Sequence, residues 1–257
     1  MDEIREVLKK YDEAFVRENL RSVESINAFA LTFYKDVGEI YDTITRVKNI
    51  ERNPTGFSIH DAPILGLLVR IWKLLKEIIR YYEDNNAEII SILERPLIEA
   101  CVIATYLLQN DQDVLEDYRK CSYKDRLRIL RDLEDGSLFF ETKAGKRLLK
   151  SVREKMKLEN LTTSDFQRQK ENRWKIQGKT FYDIFAMVEN EKLYACTYGM
   201  MSESIHGSWN ESMDFCLVRN EDGSFPPFPF SHPADVRYVS PTIKFTNGPF
   251  RLWLKRI

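Results

Sequence analysis

Apolar residues recur at intervals of three and four over most of the first 207 residues, which is the spacing of amphipathic α-helices. The predicted helices span about residues 3–20, 22–47, 64–82, 87–110, 122–136, 143–158, 180–189 and 191–207. A loop at residues 49–63, which contains two prolines and a glycine, separates the second helix from the third. The pattern therefore predicts an all-α, multi-helix bundle domain over residues 1–207.

The pattern changes after residue 207. Residues 208–257 contain Asp-Gly, Pro-Pro and Ser-His-Pro sequences, and their apolar residues have no clear period. Such sequences favour turns and short hairpins. We therefore predict that residues 208–257 form an irregular, extended C-terminal tail, with room for a short hairpin, that packs on the bundle.

One carboxylate stands out in the fourth predicted helix. Glu99 is the only charged residue between Pro96 and Leu108, and Arg95 lies one turn before it. A carboxylate among apolar residues must be paired, hydrogen-bonded or protonated. One interpretation is a polar pocket in the core in which Arg95 faces an anion or Glu99 acts as acid or base. The other is a buried ion pair that fixes the register of the helix.

The last predicted helix carries Tyr194, Tyr198, Ser202 and His206 at intervals of four residues. Each interval advances by about 40° around an α-helix, so the four side chains share one face. His206 is a candidate general base because imidazole titrates near neutrality. Ser202 would be its partner or a ligand-binding hydroxyl, and the two tyrosines would bind a ligand. The alternative is a pair of core tyrosines and a histidine favoured at the helix end by the helix dipole.

Positive charge is concentrated in one part of a chain whose formal net charge is −1. Residues 119–179 contain 18 Lys and Arg against nine Asp and Glu. The sixth predicted helix places basic residues on one side, and the connector after it adds an aromatic and further lysines. These candidate contacts are Lys143, Lys146, Arg147, Lys150 and Lys157 for nucleic acid, and Trp174, Lys175 and Lys179 for a ligand. This segment favours RNA or a nucleotide as its partner. The alternative is that its basic residues form ordinary solvated helix faces.

Other features limit the class of protein. No stretch approaches the roughly 20 apolar residues of a membrane span, so we expect no membrane partner. The charged N-terminus has no apolar core of a signal peptide, which predicts a cytoplasmic protein. The four cysteines form no Cys-x-x-Cys pair and there are only three histidines, so we predict neither a metal site nor a cofactor.

Three elements in this order resemble an uncharacterised prokaryotic all-helical domain family over about residues 60–210. They are the Arg95-x-x-x-Glu99 helix, the Trp174-Lys175-x-x-Gly178-Lys179 connector and the Tyr194-x-x-x-Tyr198-x-x-x-Ser202-x-x-x-His206-Gly207 helix. The layout is also distantly similar to the HEPN (higher eukaryotes and prokaryotes nucleotide-binding) superfamily. That resemblance implies a small helical bundle. The superfamily includes ribonucleases of bacterial toxin and antiviral defence systems.

The resemblance leaves two hypotheses open. In the first, the protein is a metal-independent ribonuclease or an RNA- or nucleotide-binding protein, and the candidate residues on the three elements share one pocket. HEPN ribonucleases carry Arg four to six residues before the catalytic His; here Ser202 precedes His206 by four, so Arg95 would supply the cation. In the second, the protein is a non-enzymatic interaction or scaffold protein with a structural Arg95–Glu99 pair. A homodimer is expected in either case, since small helical bundles often associate through an apolar face.

Overall fold

The computed structural model describes residues 11, 13–47, 51, 54–166 and 174–257. Within these residues the regular structure is helical, and only two isolated β-bridges occur. The α-helices are α1 (Glu13–Asn19), α2 (Val23–Arg46), α3 (Ala62–Glu83), α4 (Ala87–Gln109), α5 (Gln112–Cys121), α6 (Lys124–Glu134), α7 (Lys143–Leu158), α8 (Phe181–Val188), α9 (Met201–His206), α10 (Trp209–Phe215) and α11 (Val236–Arg256). The prediction of an all-α, multi-helix protein is confirmed.

The predicted helices agree with the structure where the apolar period is strong. Helices α3, α4 and α7 lie within a few residues of their predicted bounds. Helix α5 was not predicted, although Asp111 caps it by accepting a hydrogen bond from the backbone N–H of Val114. Residues 3–10 and 12 of the first predicted helix, and residues 49, 50, 52 and 53 of the predicted loop, lie outside the described residues.

The chain divides into two compact units, and the first comprises Met1–Gln109 and Ile184–Ile257. Its core is built around α4, whose Ile90, Leu97 and Ile98 are completely buried. Helices α3 and α11 pack against α4. Helix α4 is buried on most of its circumference. Its polar side chains can therefore reach solvent only on the partly exposed side, near α9.

The C-terminal segment is more regular than the predicted irregular tail. Helix α11 is 21 residues long despite containing Pro241 and Pro249. It joins the core through Trp253, which is fully buried, and Phe250, whose ring stacks on that of Tyr41 at 3.9 Å. This burial outweighs the poor helix propensity of proline. Sequence pattern alone cannot show such long-range burial. The short hairpin has a counterpart in an isolated antiparallel bridge between Leu217 and Pro227.

The second unit comprises Asn110–Asp183 and contains α5, α6 and α7. Its small core contains Tyr123, Val152, Met156 and Phe166. An ion pair of 2.6 Å joins Arg119 Nη2 to Glu159 Oε2, and the Tyr123 hydroxyl donates to the same carboxylate. Many of the chain's basic residues belong to this unit, whose hydrophobic core is small.

Candidate functional site

The candidate site of the first unit lies where α4 packs against the segment that contains α9. Arg95 and Glu99 project from successive turns of α4, while Tyr198 and His206 come from the facing segment. Arg95 Nη1 lies 3.1 Å from His206 Nε2, and Arg95 Nη2 donates to the Tyr198 hydroxyl at 3.1 Å. The Tyr198 hydroxyl in turn donates to Glu99 Oε2 at 3.0 Å. The four side chains therefore form one hydrogen-bonded chain, His206–Arg95–Tyr198–Glu99.

The contact between Arg95 and His206 limits the hydrogen-bonding role of Nε2 of the imidazole. A guanidinium group has donors and no acceptor, so Nε2 of His206 must accept this hydrogen bond. The imidazole of His206 is exposed, and its Nε2 faces the guanidinium.

Tyr198 is the buried member of the network, with 7% of its surface exposed. Burial raises the pKa of its hydroxyl to about 12, an effect that the hydrogen bond and charge of Arg95 oppose and that Glu99 adds to. The hydroxyl therefore stays protonated near neutral pH and remains a donor to Glu99. The guanidinium carbon of Arg95 also lies 4.7 Å from the centroid of the Tyr198 ring, which is within cation–π range. These contacts hold Arg95 in place.

The structure corrects one interpretation of α4. Glu99 is only partly buried and accepts its hydrogen bond from Tyr198, so its link to Arg95 runs through that hydroxyl. The buried carboxylate is Glu94, which is 6% exposed and whose Oε1 has no hydrogen-bond partner among the described residues. Burial raises the pKa of Glu94 to about 8. Sequence reasoning missed it, although Glu94 shares a face with Ile90 and Leu97, the apolar face of the helix.

The helix that carries Tyr198 and His206 is not the continuous α-helix predicted over 191–207. Residues Ala195–Gly199 form a π-helical turn, in which the Met200 N–H donates to the Ala195 carbonyl at 3.1 Å. Such a turn inserts one residue into a helix and is frequent at functional sites. Helix α9 follows and ends at His206, and the residue that caps it, Gly207, has a φ of +61°. The local insertion sets the rotation of Tyr198 relative to His206.

The structure gives the other two candidates on this face structural contacts. The Ser202 hydroxyl donates to the Tyr198 carbonyl at 2.9 Å, so it is engaged within its own helix. The Tyr194 ring packs edge-to-face against Phe185 at 5.3 Å and lies 5.5 Å from the Tyr198 ring. Ser202 and Tyr194 therefore support the segment around Tyr198, while their predicted catalytic and ligand-binding roles stay predictions.

The connector candidates Trp174, Lys175 and Lys179 belong to the second unit. Ile176 and Lys179 form an isolated bridge around a tight turn, which Asp117 stabilises by accepting from the Gln177 N–H at 2.6 Å. Hydrogen bonds from Thr180 lower the pKa of Asp183, and the charges of Lys175 and Lys179 lower it further. The turn thus brings two lysines near one carboxylate. Their predicted convergence with His206 stays a prediction.

Helix α7 presents the predicted basic stripe. The five candidate residues are all exposed: Lys143, Lys146, Arg147, Lys150 and Lys157. Val152 and Met156 are buried as expected, whereas Leu148, which the sequence placed on the apolar side, is 39% exposed. One of the lysines, Lys150, lies 3.7 Å from Glu154 on the same helix. The stripe is available to an anionic partner, and its contact with nucleic acid stays a prediction.

Two general features of the described residues bear on the site. No group of three or more His, Cys, Asp or Glu side chains in this part of the chain is arranged to hold a metal ion. None of the helices described is both long and apolar enough to cross a membrane.

Fold and site together define an all-helical protein in which Arg95, Tyr198, Glu99 and His206 form a single polar network between helices. The family model described as "Family of unknown function (DUF5677)" matches residues 61–225, which include all four side chains. This match covers more than half of the chain, and the chain belongs to that family. Neither the curated proteins nor the solved structures gave a match.

Proposed function

We propose that this protein is a HEPN-like, metal-independent ribonuclease of a bacterial defence or toxin system. The observation that carries the proposal is the 3.1 Å contact between Arg95 Nη1 and His206 Nε2. It supports the hypothesis that Arg95 supplies, from another helix, the cation that HEPN ribonucleases carry before their histidine. An imidazole nitrogen that accepts a hydrogen bond is what a general base needs.

The proposed reaction is an attack of a ribose 2′-hydroxyl on the adjacent phosphate. His206 Nε2 takes the 2′-hydroxyl proton while the new bond from the 2′-oxygen to phosphorus forms. Arg95 stabilises the negative charge that develops on the phosphate oxygens. The bond from phosphorus to the 5′-oxygen then breaks, and the departing oxygen takes a proton from solvent. The products are a 2′,3′-cyclic phosphate and a 5′-hydroxyl.

The network explains why the proposed site needs Tyr198 and Glu99, which are positioning residues. Arg95 and His206 touch each other, so a phosphate that reaches both must separate them. The hydrogen bond from Arg95 to Tyr198 and the bond from Tyr198 to Glu99 keep the guanidinium oriented while the first contact opens. In this proposal, the exposed basic stripe of α7 adds affinity for the RNA backbone, and the protein acts in the cytoplasm, as a homodimer.

The test is cleavage of single-stranded RNA without added metal, together with growth arrest on expression. We expect His206→Ala to abolish both, because His206 is the exposed base of the network, whereas Glu99 is engaged by Tyr198. His60→Ala is the matched control, since His60 is an exposed histidine outside the network. Circular dichroism should show that both variants fold.

Full cleavage by the His206→Ala variant would reject the catalytic assignment. If the wild-type protein cleaves no RNA, the scaffold hypothesis is favoured instead. One observation favours that rival: the Tyr198 hydroxyl bridges Arg95 to Glu99 and is largely buried, as in a structural network.

A further inference from the structure

An exposed tryptophan lies beside the candidate site. Trp209 is the first residue of α10, and 59% of its surface is exposed. The indole packs edge-to-face against Phe225, with ring centroids 5.8 Å apart and an interplanar angle of 70°. A contact of this geometry supports the ring from one side and leaves much of the rest of it open to a planar partner.

Trp209 is held at a fixed position relative to His206. The two residues are three positions apart, so their Cα atoms are at most about 11 Å apart. Two side-chain hydrogen bonds brace the turn between α9 and α10: Ser204 donates to Glu211 at 3.0 Å and Ser208 donates to Glu203 at 3.3 Å. The indole is therefore carried by a braced turn that begins directly after His206.

The charges around this turn limit what electrostatics can contribute to binding. Burial raises the pKa of Glu211; the hydrogen bond from Ser204 opposes this effect, and the negative charges of Asp214 and Glu203 add to it. These carboxylates oppose the approach of a phosphate chain, while Arg95 is the cation in direct contact with His206. An RNA bound here therefore needs a contact that does not depend on charge.

We propose that Trp209 stacks on an unpaired nucleobase of the RNA whose phosphate is bound by Arg95 and His206. This inference rests on the proposed function and names its substrate class, single-stranded RNA. A base within a duplex is covered by its neighbours on both faces, whereas an unpaired base offers a free face to an indole. Base–aromatic stacking tolerates any sequence, so the site reads strandedness instead of base identity.

The test measures binding of a single-stranded 2′-O-methyl oligonucleotide, which cannot be cleaved by this chemistry, by fluorescence anisotropy. An abasic oligonucleotide of equal length serves as the comparison ligand. We expect Trp209→Ala to weaken binding of the base-containing oligonucleotide by about 5- to 150-fold, the usual effect of losing one stacked base. Binding of the abasic oligonucleotide should not change, and Trp209→Phe should retain most of the affinity.

Phe230→Ala is the matched control, because Phe230 is an exposed aromatic residue (69%) of the same C-terminal segment whose ring packs on Phe228. This variant should bind like the wild type. Unchanged affinity in Trp209→Ala, an equal loss for the abasic oligonucleotide, or no wild-type binding to either would overturn the stacking proposal. The stacking proposal would also be overturned if Trp209→Ala lost self-association in sedimentation while its RNA affinity stayed intact. That result would identify a protein-contact surface.

Cleavage of unmodified RNA, measured in parallel, separates this proposal from the proposed function. Binding that depends on Trp209 without wild-type cleavage supports stacking and rejects the ribonuclease. Cleavage that depends on His206 with unchanged binding in Trp209→Ala supports the ribonuclease and rejects stacking.

Discussion

At the scale of single residues, α4 carries two carboxylates with opposite environments. Glu99 is partly exposed and accepts a hydrogen bond from Tyr198, so its carboxylate has both solvent and a donor. Glu94 is buried, its Oε1 lacks a partner in the described part of the chain, and burial raises its pKa to about 8. Glu94 is therefore protonated near neutral pH, and the charge on this helix that matters for the site is that of Glu99 and Arg95.

The buried Glu94 predicts a pH dependence of stability with a defined sign. Between its ordinary pKa of 4.5 and its folded-state pKa of about 8, the carboxyl group is ionised in the unfolded chain and protonated in the folded one. Unfolding then releases a proton, so the folded state loses stability as pH rises through this window. The loss is on the order of a few kcal/mol, at about 1.4 kcal/mol per unit of pKa difference.

We expect Glu94→Gln to remove that dependence. Urea unfolding from about pH 5 to about pH 9, a range that spans the window of this titration, should show the variant gaining stability relative to wild type as pH rises. Glu39→Gln changes an exposed carboxylate on α2 and should leave the wild-type profile unaltered. A constant difference between wild type and Glu94→Gln at every pH would contradict the assignment of the raised pKa to Glu94.

At the scale of elements, the end of α9 determines where His206 is held. Gly207 adopts φ +61°, a left-handed conformation that closes the helix and that only glycine adopts without cost. A Cβ at this position would meet no atom within 4 Å. Any effect of adding one therefore comes from backbone strain and not from a clash.

We expect Gly207→Ala to destabilise the protein by about 1 kcal/mol, which lowers the melting temperature by roughly 2–4 °C. The proposed RNA cleavage should fall with it, because the strained turn displaces His206 from Arg95. Gly66→Ala is the control: Gly66 lies within α3, a Cβ there also meets nothing within 4 Å, and alanine should raise the melting temperature slightly. Equal effects of the two substitutions would refute the backbone explanation.

At the scale of the whole molecule, the C-terminal helix completes the core of the first unit. Its last turn is tied to the start of α3, where Arg256 Nε donates to Asp61 Oδ1 at 2.8 Å. The Asp61 side chain is almost fully buried, whereas that of Arg256 is 29% exposed. Removing the arginine leaves a buried carboxylate without this partner, which is costly even after allowance for solvent at the arginine.

We expect Arg256→Met to lower the free energy of unfolding by about 2 kcal/mol. Chemical denaturation is the measurement. Arg251→Met, an exposed position on the same helix, should change stability by less than about 0.5 kcal/mol. If both variants behave alike, the ion pair does not anchor α11.

The sequence predicted the helical class because apolar periodicity is a local property, and α3, α4 and α7 show it strongly. It failed at α11, where the apolar residues show no clear period in the sequence and long-range burial of Trp253 stabilises a helix that contains Pro241 and Pro249. The sequence also failed to predict the π-helical turn. The four-residue spacing of the tyrosines is the same in the sequence whether or not the helix contains such a turn.

By itself, the sequence singled out Arg95, Glu99, Tyr198 and His206 among its candidates, and the structure joins these four side chains in one network. Their spacing placed two on one helix and two on another. Only the tertiary structure decided that the helices face each other, that Tyr198 connects Arg95 to Glu99, and that Glu94 is the buried acid of α4. The physical reason is that periodicity defines a face of one helix, whereas contacts between helices depend on packing between segments that lie far apart in the chain.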